Sequence, residues 1–137
     1  MGGSARFEVK TGSRIGMVDI TAKVRAAVRD AKVAAGLCVV YVPHTTAAVT
    51  INEHADPDVA QDITAALDAL VPLRAGYAHG EGNSQAHIKA SIMGNSRVVP
   101  VDGGAPALGT WEGVFLCEFD GPRTRHVHVT VIGERQP

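Results

Sequence analysis

The chain has 137 residues, 45% hydrophobic and 20% charged, enough for one domain with a true core and too few for two comfortable ones. Its 13 Lys and Arg against 14 Asp and Glu give a net charge of -1, so there is no basic field to draw nucleic acid or an anionic membrane. No apolar run approaches the ~20 residues of a membrane span, and "MGGSARFEV" lacks the basic and apolar segments of a secretory leader, so a cytoplasmic protein with small-molecule or protein partners is expected.

Residues 1–4 read as a flexible or appended start, and "ARFEVKT" alternates as a strand before a loop at "GSRIG". Asp19 or Thr21 can cap a helix, "ITAKVRAAVRDAKVAAG", in which Val24, Ala27, Val28, Ala31 and Ala35 recur at three-and-four spacing and Gly36 supplies the stop. "LCVVYV" reads as a buried strand closed by Pro43. In "TTAAVTI" the parity sends Ala47, Val49 and Ile51 to one face, with Thr46, Ala48, Thr50, Asn52 and His44 on the other. A second helix starts with Asp56 as N-cap and Pro57 at its first position, carries a stripe of Val59, Ile63, Leu67 and Leu70, and ends at Pro72. "PLRAGYAHGEGN" is then a long loop, of the length that is often functional.

Ser84 can cap a third helix, "QAHIKASIM", stopped by Gly94. "SRVVPV", "TWEGVFLCEF" and the strictly alternating "RTRHVHVTVIG" are strands, the last with Val127, Val129 and Val131 on one face and His126, His128 and Thr130 on the other. Strands outnumber helices, so the expected class is a single compact α+β domain over residues 1–137, a largely antiparallel sheet or sandwich with three helices. Cys38 and Cys117 each sit in an apolar run and read as small buried hydrophobes.

The stretch "YAHGEGNSQAHIKASIMG" raises three readings: a metal site, a phosphate cradle, or an ordinary loop entering a helix. His79 and His87 flank its acidic, glycine-rich centre, and His44 could join them; three imidazoles with an open fourth position suit zinc. Glu53, Asp56 and Glu81 are candidate proton carriers or partners of such histidines, although helix capping alone accounts for Asp56. "GEGNS" before a helix can bind an anion through free N–H groups around Asn83 and Ser84, with Lys89, Arg123 and Arg125 as phosphate partners or simply as exposed cations. His126 and His128 are a rival metal pair that lacks a third ligand, and a solvent-facing or subunit-facing polar row explains them as well.

Taken in order, "HTTAAVTINEHADPDVAQDI", "YAHGEGNSQAHIKASIMGNS" and "LGTWEGVFLCEFDGPRTRHVHVTVIGE" resemble the YjbQ family, often called secondary thiamine-phosphate synthase enzymes. The resemblance runs from about residue 5 to residue 134. It implies a compact α+β fold, a homotrimer, and zinc or another divalent metal on His44, His79 and His87 near a subunit boundary. Glu53 and Asp56 match the family's acids beside that site, Glu81 and Asn83 its Glu-Gly-Asn loop, and Arg123 and Arg125 its late arginine pair. Glu112 stands where Gln is familiar, and the single Gly80 between His79 and Glu81 shortens the loop. The implied activity is metal-dependent chemistry on a small phosphorylated molecule, with thiamine-phosphate synthesis as a side activity. The alternatives are a non-catalytic anion-binding trimer or a trimer with a structural metal.

Overall fold

A computed structural model describes residues 2–137. In chain order the elements are β1 (Gly2–Lys10), β2 (Gly16–Asp19), α1 (Thr21–Ala31), β3 (Val33–Tyr41), β4 (Ala47–Glu53), α2 (Pro57–Leu70), α3 (Ser84–Met93), β5 (Ser96–Asp102), β6 (Ala105–Pro106), β7 (Glu112–Glu118) and β8 (Thr124–Arg135).

The alternating strand β8 organises the larger sheet, because its valine face must be buried and its backbone has partners on both sides. It pairs antiparallel with β1 and β3, and the five-stranded order is β1-β8-β3-β5-β6. A three-stranded sheet, β2-β7-β4, is antiparallel as well. Val127, Val129 and Val131 of β8 join Val49 of β4, Leu116 of β7 and Val24, Ala27 and Val28 of α1 in one cluster, so α1 and both sheets share a core. This is the α+β class expected. The parity read in β4 also holds: Ala47 and Val49 enter that cluster, whereas Ala48 meets Ala86, Ala90, Cys117 and Phe119 beneath α3. Both cysteines are buried and free.

The structure corrects several boundaries. Helix α1 ends at Ala31, where Lys32 turns left-handed at φ 56° and its amide closes on the Arg29 carbonyl. Gly36, expected as the stop, lies inside β3, where a Cβ would fall 1.9 Å from the Ile132 carbonyl oxygen, so close strand approach is what demands glycine there. Ile20 holds the N-cap position of α1, while Asp19 Oδ1 accepts from the Thr21 amide at 2.9 Å, so the anticipated Asp19 cap acts one residue early. Ala35 consequently belongs to a strand. Gly2, Gly3 and Ser4, expected as flexible, pair with Ile132, Val131 and Thr130. The short strands β2 and β6 fall in stretches where no strand was expected.

Asp56 caps α2 as expected, its Oδ1 accepting from the Asp58 amide at 2.9 Å with Pro57 in the first turn. The stripe on α2 is only partly covered: no residue of this helix is buried, and Leu70 is 77% exposed. Asn83, one residue before the expected cap, occupies the N-cap position of α3, and Gly94 at φ 89° ends that helix.

Candidate functional site

Three separate segments bring histidines to one cleft. His44 stands in the turn between β3 and β4, held by its own amide on the Val42 carbonyl at 2.9 Å. Its Nε2 accepts the His126 amide at 2.9 Å, and its ring stacks on that of His126 with centroids 6.0 Å apart. That hydrogen bond places the proton of the neutral ring on Nδ1. Burial, reinforced by the Arg125 charge, lowers the His44 pKa, so the ring is neutral at pH 7.

His87 projects from the first turn of α3, and His79 from the preceding loop, which the Tyr77 hydroxyl pins to the Pro72 carbonyl. The His79 and His87 rings meet edge to face at 5.4 Å, and His79 Nε2 lies 3.9 Å from Glu81 Oε2. All three histidines, with Glu81, Asn83, Asp120, Arg123 and Arg125, line a cleft of about 450 Å³. Ser84 faces an adjoining pocket with Tyr77, His79 and His87.

The cations behave differently from one another. Arg123, just before β8, is exposed and rests on Asp120 through Nη2 at 3.0 Å and through Nε to the main-chain carbonyl at 2.8 Å. Arg125 is 4% exposed: its Nε and Nη2 grip the Glu118 carboxylate, and Nη2 also donates to the Thr46 carbonyl and hydroxyl, so those two nitrogens are committed within the protein. Lys89 is fully buried, with Nζ 2.6 Å from Asp68 Oδ1 and bonded to Gln85, and it faces α2 outside the cleft.

Glu53 and Asp56 also stand apart. Strand β4 starts at Ala47, three residues after His44, and ends at Glu53, six residues further on, roughly 20 Å at ~3.3 Å per residue. There Glu53 and Asp56 line a second cavity between α2 and the small sheet. His126 is exposed and His128 half-buried, edge-on to Tyr41 with centroids 6.2 Å apart, on the outer face of β8.

Sequence reasoning missed Asp120, which joins the cleft by receiving Asn83 Nδ2 at 2.9 Å as well as Arg123. The i,i+3 spacing of Asp120 and Arg123 was the available signal. Burial pushes the Asp120 pKa up, but Asn83 and Arg123 outweigh it and hold the carboxyl below its usual value. With its amide nitrogen committed to Asp120, Asn83 leaves Oδ1 buried without a partner, an acceptor that an N–H or O–H of a bound molecule would satisfy. Imidazoles are proper donors for zinc, but among the described residues no three His, Cys, Asp or Glu side chains are grouped to hold a metal, and His44 Nε2 is already engaged. The chain alone does not assemble the ligand set.

The family profile described as UPF0047 protein YjbQ-like matches residues 5–134. A UPF0047 protein of Methanocaldococcus jannaschii is 48% identical over 130 residues, covering 95% of this chain and 94% of the relative. The YugU protein of Bacillus subtilis is 44% identical, with 93% and 97% covered. Among solved structures, a YbjQ-like protein of unknown function from Sulfolobus solfataricus superposes with a TM-score of 0.95 at 34% identity over 98% of this chain and 99% of that one. A YjbQ/UPF0047 family protein of Clostridium acetobutylicum gives 0.92 at 48% identity, with 93% and 99% covered.

Proposed function

Since this chain belongs to the YjbQ-like UPF0047 family, we propose that its histidine cleft binds a small phosphorylated molecule and acts on it as an enzyme. The observation that carries the proposal is the gathering of His44, His79, His87, Asn83 and Arg123 around one cleft of about 450 Å³, a volume suited to a small metabolite. Arg123 offers donors at the exposed rim, and the amides at the start of α3 favour negative charge beside it. Asn83 Oδ1 would accept from a hydroxyl or N–H on the non-phosphate part of the substrate. His79 and His87 are exposed enough to exchange protons with a bound molecule, and Glu81 beside His79 is the cleft's candidate proton carrier. Formation of thiamine phosphate, in which a phosphorylated thiazole meets a pyrimidine pyrophosphate, belongs to this substrate class.

Zinc remains the proposed metal, and its binding would require His44 Nε2 to leave the His126 amide. We also propose a homotrimer: Leu37, Val98 and Ile132 are 43%, 57% and 54% exposed on neighbouring strands of the large sheet, an apolar face that a second copy could cover.

The test is turnover. A panel of phosphorylated metabolites, the thiamine precursors among them, is incubated with wild type and with His87→Ala and Glu81→Gln, with zinc content measured on each protein. Wild-type product lost in His87→Ala and reduced at least tenfold in Glu81→Gln, in line with the ~10²–10⁴ contribution of a general acid or base, supports the reading. Binding of phosphate esters without turnover would instead support the second reading, a non-catalytic anion-binding trimer.

A further inference from the structure

The cavity holding Glu53 and Asp56 lies away from the histidine cleft and has a different chemistry. It measures about 550 Å³ and is walled by Ile15, Met17, Ala60 and Phe115 between α2 and the β2-β7-β4 sheet. At its mouth His54 is fixed from three sides. Its amide donates to the Trp111 carbonyl at 3.0 Å, and its Nδ1 meets Asp19 Oδ2 at 2.9 Å. The missing side chain of Gly113 gives the ring its space, since a Cβ there would lie 2.5 Å from it. Asp19 is itself anchored, because its other oxygen accepts from the Thr21 amide and hydroxyl. In the neutral imidazole the Nδ1 proton is the one that Asp19 accepts, which leaves Nε2 as an acceptor.

The remaining polar groups of the lining accept as well. Glu53 has no hydrogen-bond or ion-pair partner for its carboxylate among the described residues, and Asp56 uses one oxygen on the Asp58 amide. Asp68 is ion-paired through one oxygen with Lys89 and through the other with Arg14. The Thr64 hydroxyl is spent on the Ala60 carbonyl at 2.8 Å, which leaves the Gln61 amide as the side-chain donor. Among the described residues, no Lys or Arg lines the cavity. An apolar pocket rich in acceptors and poor in donors is complementary to a cation that carries N–H groups on a hydrocarbon body.

We propose that this cavity is a binding site for a small organic amine, its ammonium held by Glu53 and His54 Nε2 and its apolar part against Met17 and Phe115. The site stands independently of the phosphorylated substrate proposed for the histidine cleft. Its volume lies within the ~300–1,000 Å³ of small-molecule pockets, which favours a metabolite-sized amine over a protein segment.

The experiment titrates benzylamine, benzyl alcohol and benzoate into the full-length protein, following the His54 and Phe115 signals by NMR and affinity by calorimetry. Benzylamine should bind tightest and shift both residues, while benzoate should bind least. Glu53→Gln should weaken benzylamine by about five-fold, the scale of one partly exposed ion pair, and leave benzyl alcohol unchanged. Ala60→Leu, which fills the cavity from α2, should abolish all three. Equal binding of amine and alcohol, an unaltered benzylamine affinity in Glu53→Gln, or no shift at His54 in the wild type would overturn the proposal, the last being the result if another copy of the chain covers the cavity.

Discussion

At the scale of single residues, the pair Arg125 and Glu118 is the strongest internal commitment beside the cleft. Glu118, 1% exposed, accepts from Arg125, from the Thr11 hydroxyl at 2.7 Å and from the amides of Phe119 and Asp120. Removing one partner leaves the other charge buried and alone, so Arg125→Met should cost about 3–5 kcal/mol in chemical denaturation. The matched double variant with Glu118→Leu should recover most of that loss. Burial by itself would raise the Glu118 pKa, yet Arg125 and Thr11 hold it below its ordinary 4.5. Asp68 is lowered too, chiefly by its hydrogen bond from Lys89. A carboxylate lowered in the fold stabilises fully above its unfolded pKa and loses that contribution as pH falls through the folded value. Urea midpoints should therefore be flat near neutrality and decline below about pH 4.5, and Glu118→Gln should flatten the acid limb. The burial of Arg125 and Lys89 was not legible in the chain, because Glu118 and Asp68 lie 7 and 21 residues away and only the fold brings them together.

Among elements, the long periodic segments were legible and the short ones were not. The valine face of β8, the cap of α2 and the glycine stop of α3 follow from local rules of spacing and backbone conformation. Strands β2 and β6 have four and two residues, too few to show a period, and are defined by their partners β7 and β5. The stop of α1 was misplaced because Gly36 satisfies two demands that look alike in sequence, a helix end and a close strand crossing. The two apolar classes make a contrast in stability. Leu116→Ala in the core should cost about 2–5 kcal/mol, whereas Leu70→Ala on the 77% exposed end of α2 should cost under about 0.5 kcal/mol, both read from urea midpoints. Gly36→Ala should exceed either, since its new methyl would meet the Ile132 carbonyl.

For the whole molecule, the resemblance of its motifs foretold the family and the α+β class, which the profile match over residues 5–134 bears out. His44, His79 and His87 could be grouped from residue type alone and were favoured by that resemblance, although their spacing in the chain has no metal-site pattern; Glu81 lies with them in the cleft, whereas Glu53 and Asp56 lie at or beyond the far end of β4. The proposed trimer makes a simple demand on the apolar sheet face: Val98→Glu should reduce the sedimentation coefficient to that of a monomer of 14.3 kDa while far-UV circular dichroism is retained. The central claim concerns the cleft, and the histidine ring signals in ¹H–¹⁵N NMR test it most directly. Addition of zinc with phenyl phosphate should move the rings of His44, His79 and His87 together and leave His54, in the separate cavity, in place. If those three signals stay unchanged at saturating phosphate ester, or only His54 moves, the cleft is not the site of phosphorylated substrates.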